Sequence, residues 1–521
     1  MSTEPLYLGL DLSTQQLKAV LVERNGHIAH EAAVHFDSEV PQHGTSGGAH
    51  RGPNGRVTAP VAMWIDALEL VFDKLKKANA PFGRIAGVGG SGQQHGSVYW
   101  SHQAETLLAQ LDPTQTLSEQ LDSPIWMDSS TTKACNELTE ACGGAQALSD
   151  LTGSRAYERF TGTQILKIYR EEPEVYEATA RISLVSSFGA SLFLGKVAPI
   201  EVGDGSGMNL MDIATYKWND KLLDACGGST LRTKLGEEPV LGSTALGKVS
   251  RWWVERWGFS SECIVAPWTG DNPASVIGVS SPGDAILSLG TSTTFLLSTP
   301  PADRPPKRTT TSHLLAHPTE SRTRIVMLCY KNGALAREGL RGPSRSWADF
   351  DADVAKRPPG NDGVFGFYFP EVEIIPPLAH ARAILESQLL SIKARLLAIL
   401  PTHETPAHEA NHHHHHAHKE LDVPLHRLVL AGGSSVNETI QQLAADMFGI
   451  DVYIAGTKEG AALGGAVLAM RAAGVEVPEL GELRKVKSPN KEVTEVYDDI
   501  LDAYRACEQK VIEEHEASIK K

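Results

Sequence analysis

At 521 residues the chain is too long for one ordinary hydrophobic core, and two large domains are the expectation. Hydrophobic residues at 41% and charged residues at 21% give the balance of a soluble globular protein. The formal net charge of −15 argues against a general affinity for nucleic acid or anionic membranes.

The first motif comes almost at once. In "LYLGLDLSTQQLKAVLVERNG" the apolar stretches Leu6–Leu10 and Leu17–Val22 flank a polar tip of Asp11, Ser13, Thr14, Gln15 and Gln16. This predicts two strands joined at a tight turn, with a third strand near Ile28–Val34. A plain hairpin would need only Asn-Gly at its turn, so the carboxylate and the hydroxyls call for another reason. The first apolar run is cut by Asp11 and lacks a basic leader, so no signal peptide is expected. Residues 36–58, rich in Gly and His, read as a loop.

"VAMWIDALELVFDKLKKA" (61–78) carries apolar residues at helical spacing, and "RIAGVGG" (84–90) reads as a buried strand. Strand, helix and strand in succession place the chain in the α/β class. "GVGGSG" (87–92) fits the G-x-G-x-x-G pattern of dinucleotide binding, but that pattern must open a helix. Here "QQHGSVYW" follows, with Gly96 four residues on and a strand-like Ser-Val-Tyr-Trp. "LVSSFGASLFLG" (184–195) is too short to span a bilayer and is expected as a core helix.

The second half repeats the opening. "DAILSLGTSTTFLLS" (284–298) is again strand, small polar turn and strand, with Gly290, Thr291, Ser292 and Thr293 at the tip. "RLVLAGGSSVNETIQQLAADMFG" (427–449) reads as a strand, a Gly-Gly turn and a helix. "EGAALGGAVLAM" (459–470) is a helix of small residues able to pack closely, and 493–512 is expected to dock as an amphipathic helix. The Pro-rich 299–310 and the His-rich "ETPAHEANHHHHHAHKE" (404–420) read as irregular, the latter as a solvated loop because nothing fixes a ligand cage. The six cysteines (135, 142, 226, 263, 329, 507) form no C-x-x-C and read as reduced thiols of a cytoplasmic enzyme.

Tight Gly/Ser/Thr turns supply the backbone N–H groups and hydroxyls that phosphates need. A carboxylate beside such a turn, here Asp11, could hold Mg²⁺ through water. Two polar-tipped hairpins in two halves suggest two related domains facing each other, with the Gly-Gly turn as a third nucleotide contact.

"LGLDLSTQQLKAVLV", "SGQQHG", "WTGDNPAS", "LSLGTST" and "LAGGSSVNE" occur in this order. Together they resemble the FGGY carbohydrate kinases over about residues 6–475. "PIWMDSSTTKACNEL", "GSRAYERFTGTQI" and "GDGSGMNLMDI" resemble the eukaryotic-type xylulose kinase branch most. The resemblance implies two ribonuclease-H-like, actin-like domains with ATP and sugar in the cleft between them. The expected division is 5–283, 284–475 and a docking tail 476–521. It further implies transfer of the γ-phosphoryl of ATP to a sugar hydroxyl, chemistry of positioning and charge stabilisation with a base for the proton.

By the same resemblance Asp271 of "TGDNPAS" is that base. His95, Gln94, Arg159, Asn272 and Asp128 contact the sugar, with Arg155 the rival of Arg159. Asp11, Thr14, Gln15, Gly290 and Thr291 serve phosphates and Mg²⁺. Gly432, Gly433, Ser434, Asn437 and Trp347 lie at the adenine and ribose. Ser13 stands where many members have Gly, and Ser130 where many have Arg, which weakens the transfer of a role to Asp128. The sugar expected is D-xylulose, with ribulose, another ketose or glycerol as alternatives, since one or two hydrogen bonds decide it. A non-catalytic actin-like nucleotide-binding scaffold is the rival of another class, and it would have no use for a sugar pocket. Monomer and homodimer stay equally open.

Overall fold

The computed structural model describes residues 4–53, 56–121, 125–128, 131–290, 292–299, 305–367, 380–400, 402–404, 419–421, 425–477 and 483–519. The chain divides into two compact units. The first comprises 1–281, 308–325 and 459–481, and the second 282–307, 326–458 and 482–521. Each is an α/β unit built on its own hairpin.

In the first unit, strand Leu6–Leu12 pairs antiparallel with Gln16–Glu23, which pairs antiparallel with Ile28–His35. On its other side Leu6–Leu12 runs parallel to Ile85–Gly92, and Ile85–Gly92 runs parallel to Ile264–Val265 and Thr269–Gly270. The register sets Asp11 level with Ser91, and Ser91 level with Thr269. Asp271 therefore begins its helix one residue beyond the carboxyl ends of the parallel strands. In open α/β sheets that edge is where ligands bind.

The sheet is covered by helix Val61–Lys77, whose Trp64, Leu68, Val71, Phe72 and Leu75 are buried at helical spacing. Full burial of such side chains is worth about 1.5–3 kcal/mol each. Around Phe72 gather Phe193, Trp253 and Phe259, with Phe193 stacked on Trp253 at 4.0 Å. Helix Val185–Leu194 is buried all round, as an apolar segment of core length should be.

The opposite layer is the small-residue helix Gly460–Ala472. A Cβ on Gly9 would fall 1.9 Å from the Ala462 carbonyl oxygen, and one on Gly89 would fall 2.4 Å from that of Gly465. The same helix meets helix Asp271–Val279. A Cβ on Gly464 would fall 2.0 Å from the Ala274 carbonyl oxygen, and one on Gly278 2.2 Å from that of Gly460. Glycine inside a helix costs up to about 1 kcal/mol. Here it permits backbone contact on two sides.

Residues 36–58, expected as a loop, contain helix Phe36–Glu39 and the short strands His50–Arg51 and Arg56–Thr58. These strands join a sheet with Ile125–Asp128, Ser97–Ser101 and Thr179–Leu184. Strands this short, without alternation, leave no periodic signal. "GVGGSG" ends a strand that turns at 93–96 into strand Ser97–Ser101, so no helix follows it.

In the second unit, Asp284–Leu289 pairs antiparallel with Thr293–Ser298 and parallel with Arg427–Ala431, which runs parallel to Val452–Ala455. The hairpin-plus-parallel-strand arrangement of the first unit is thus repeated. Helix Lys491–Ile519 buries Tyr497, Leu501 and Tyr504, while Val496 stays 37% exposed at the edge of that stripe. Strands Thr402–Glu404 and Lys419–Leu421 pair at the base of the His-rich run, whose histidines lie outside the described residues.

Two glycines separate space from propensity. Gly464→Ala should lower the unfolding midpoint by an amount equivalent to more than about 2 kcal/mol, since backbone must move to admit the methyl. Gly339, exposed in helix Gly333–Arg341, has nothing within 4 Å of its Cβ position. Gly339→Ala should stabilise by about 0.5–1 kcal/mol. Chemical denaturation of both variants checks the contrast.

Candidate functional site

The first hairpin ends in a buried carboxylate. Asp11 is 6% exposed and accepts from Ser13 Oγ at 2.5 Å and Ser91 Oγ at 2.8 Å. Burial pushes its pKa up, against those two hydroxyls and the charge of Lys18. Lys18, level with it across the hairpin, is ion-paired with Glu459 at 2.8 Å. Ser13 N–H closes the turn on the Gln16 carbonyl at 3.0 Å, which leaves Thr14 and Gln15 exposed at the tip.

Asp271 sits in the first turn of its helix, where backbone N–H groups point at a carboxylate. It accepts from its neighbour's backbone, Asn272 N–H, at 2.8 Å and from Asn272 Nδ2 at 3.1 Å, with Gln94 N–H as a further donor. Asn272 Nδ2 also donates to Gln94 Oε1 at 2.9 Å, so these three predicted residues form one cluster. Asp271 keeps a partly exposed edge although protein encloses most of its carboxyl. Burial first and the Asp11 charge second raise its pKa to about 7.

His95 occupies the turn at φ +72°, a left-handed conformation unusual outside glycine. Its ring stacks on Phe160 at 4.4 Å, and Nδ1 lies 3.1 Å from the Gly207 carbonyl oxygen. A Cβ on Gly207 would come within 2.8 Å of the ring, so only glycine fits there. Burial, then the Arg159 charge, hold the imidazole well below its ordinary pKa, so it is neutral. Of the two arginines, both lie over the Tyr157 ring, Arg155 at 4.5 Å and Arg159 at 5.5 Å. Arg155 is exposed, while Arg159 is half-buried and is the one whose charge reaches His95. Asp128 is level with Arg56 in its strand, and its side chain lies outside the described residues.

Three residues of this site escaped the sequence. Asp204 is buried and accepts from Ser186 Oγ at 2.6 Å, while its Oδ1 has no partner among the described residues. Burial, then Glu201 and Asp271, raise its pKa well above the carboxylate range. Glu201 accepts from Gly203 N–H at 2.8 Å and Asp204 N–H at 3.0 Å, and burial raises its pKa to about 7. His313 lies 4.7 Å from the Tyr157 ring, with Nδ1 3.0 Å from Ser154 Oγ, and is likewise held neutral by burial and Arg159. The spacing in "EVGDGSG" was the available signal for the two acids; nothing marked His313.

In the second unit, Gly432 closes against its own hairpin. At φ +82°, a Cβ there would fall 2.7 Å from the Leu289 carbonyl carbon and 2.8 Å from Gly290 N. Gly433 is exposed with nothing within 4 Å, and Ser434 is half-buried beside it. Asn437 caps helix Glu438–Phe448 by accepting from Ile440 N–H at 2.8 Å, and its Nδ2 donates to Asp351 at 2.8 Å. Its amide is therefore already engaged in fixing the turn. Trp347 is 36% exposed with the Arg341 guanidinium 4.9 Å from its ring. Gly290 is among the described residues, and Thr291 lies outside them. Among the described residues no group of three or more His, Cys, Asp or Glu could by itself hold a metal ion.

Comparison with known proteins gives the family. Residues 6–278 match the N-terminal domain, and residues 372–473 the C-terminal domain, of the FGGY family of carbohydrate kinases. A xylulose kinase of Rattus norvegicus is 40% identical, covering 97% of this chain and 97% of its own. Xylulose kinase 2 of Arabidopsis thaliana is 42% identical over 89% of this chain and 87% of its own. The crystal structure of a xylulose kinase from Rhodospirillum rubrum shares the fold, with a TM-score of 0.75 at 18% identity over 97% of this chain and 98% of that one. The chain belongs to the FGGY family of carbohydrate kinases.

Proposed function

We propose that this enzyme phosphorylates D-xylulose to D-xylulose 5-phosphate with ATP, using Asp271 as general base. The observation that carries the mechanism is the Asp271 carboxylate. It stands at the strand ends beside Asp11, with a pKa raised to about 7. A base poised near the working pH takes a proton efficiently. Asp271 takes the proton of the sugar hydroxyl as its oxygen attacks the γ-phosphorus; the bond to the β-phosphate oxygen breaks and ADP leaves. Neutral His95, Asn272 and Gln94 offer the uncharged donors and acceptors a polyol needs, and Arg159 adds a cation at its edge. The names of the relatives support xylulose as the sugar.

The residues fit Mg²⁺. Asp11 is a carboxylate whose charge is disfavoured by burial, so a divalent cation there would relieve it. One protein carboxylate is also typical of an ion that keeps most of its waters. Asp11 would hold it, and the ion would neutralise charge on the transferring phosphoryl. The six cysteines, all free, support a reducing compartment, the cytoplasm. No described helix is long and apolar enough to cross a membrane.

A coupled assay of ADP release over a panel of ketoses and glycerol should give the highest kcat/KM with D-xylulose; a better substrate in the panel overturns the sugar assignment. Asp271→Asn should lower kcat by about 10²–10⁴-fold with KM values little changed. Near-normal turnover in that variant removes Asp271 from the mechanism.

The nucleotide turn makes a second prediction. Gly433→Val should fold normally, because the position is open, and should raise the ATP KM without weakening sugar binding. Gly432→Val should instead destabilise the protein, because backbone fills its Cβ position.

Asp204 adds a pH dependence of stability. Its folded pKa lies above its unfolded one, so the folded state binds the extra proton and stability falls as pH rises from about 4 toward the folded value. Asp204→Asn, a near-isostere of the protonated acid, removes that loss. Its unfolding midpoint should exceed that of the parent increasingly over the range where pH rises above about 4. A constant offset across that range shows that Asp204 is ionised.

A further inference from the structure

Helix Gly333–Arg341 in the second unit touches three parts of the candidate nucleotide site, the second hairpin, Ser434 and Trp347. At its start, Gly333 lies against the second hairpin, where a Cβ would fall 2.3 Å from Thr293 Oγ1. One turn on is Arg337, and one turn further Arg341 covers Trp347. Residues four apart share a helix face.

Arg337 is the unusual member. It is 1% exposed, yet among the described residues no carboxylate lies within ion-pair distance, and Glu338 acts on it only through space. Its Nη1 donates to Gln388 Oε1 at 2.7 Å, and its Nη2 to Ser434 Oγ at 3.3 Å. Gln388 is itself fixed, since its Nε2 donates to the Gly333 carbonyl oxygen at 3.2 Å. Among the described residues Arg337 Nε has no acceptor, and Thr293 Oγ1, which borders the same narrow cavity, has no partner. A buried cation without a counterion is costly, and a methionine would fill this volume without that cost. What an uncharged side chain could not supply is a rigid fork with one arm anchored and the other on Ser434.

We propose that Arg337 is a positioning residue of the nucleotide site, its guanidinium holding the turn at Gly432–Ser434 in the geometry that accepts ATP. The inference rests on the reading of that turn as a nucleotide contact. The helix then acts as a single frame, with its start on the phosphate hairpin, its middle on the turn and its end on Trp347.

The test is steady-state kinetics of Arg337→Met, Arg337→Lys, Ser434→Ala and the Met/Ala double variant, with thermal unfolding of each. Arg337→Met should raise the ATP KM by about tenfold or more while the sugar KM moves by less than about twofold. Arg337→Lys, which keeps the charge but not the planar fork, should recover part of the loss. Ser434→Ala removes the same contact from the half-buried side, so it reports even if the buried substitutions fail to fold. Its effect should not add to that of Arg337→Met. Additive effects, or equal losses toward both substrates accompanied by lowered thermal stability, overturn the proposal. Gly433→Val tells which premise fails. If it leaves the ATP KM unchanged, the turn is not a nucleotide contact and both readings fall. If it raises KM while Arg337→Met and Ser434→Ala do not, only Arg337 loses its role.

Discussion

The first unit depends on backbone meeting backbone. Helix Gly460–Ala472 lies between the central strands of the first unit and the helix that begins at Asp271, and glycines remove the side chain at each contact. Gly9 and Gly89 admit it on the sheet side, and Gly464 and Gly278 on the helix side. Dispersion between close-packed atoms falls steeply with any gap, so such a seam tolerates little slack. It is this seam that fixes how far the carboxyl of Asp271 stands from the strand end carrying Asp11.

Around that frame, burial rather than pairing sets the electrostatics. Asp11, Asp204, Glu201 and Asp271 all have pKa values raised, in each case first by loss of water. The hydrogen bonds each accepts work against that rise, and their number differs. Asp271, at a helix start with several N–H donors, is raised to about 7, and Asp204, one oxygen of which has no partner among the described residues, is raised well above its ordinary value. His95 and His313, buried near Arg159, are held neutral by the same desolvation acting on the opposite charge.

Much of this was legible in the residues. The two polar-tipped hairpins, the helix now seen as Val61–Lys77 and the buried helix Val185–Leu194 follow from periodicity and turn chemistry. The cluster of Asp271, Asn272 and Gln94 joins motifs 178 positions apart, and it was reached through the family pattern rather than through spacing. Asp204, His313 and Arg337 were not legible, because each is defined by what surrounds it. A buried acid, a buried imidazole and a guanidinium without a carboxylate look, in sequence, like ordinary surface residues. The short strands at 50–51 and 56–58 were missed for a related reason, since two or three residues carry no alternation and pairing alone makes them strands.

The position of helix Gly460–Ala472 in the chain has a consequence for biosynthesis. The first unit takes its earliest strand from residue 6 and its covering helix from residue 460, with most of the second unit's chain emerging between them. A ribosome that has released the first 300 residues has therefore exposed a sheet whose glycine face has nothing to lie against. Closing so long a loop costs entropy that only late contacts can repay. The unit that begins first is thus completed only after most of the second unit has been made, and a nascent chain must keep the face around Gly9, Gly87 and Gly89 from other partners until its own helix arrives.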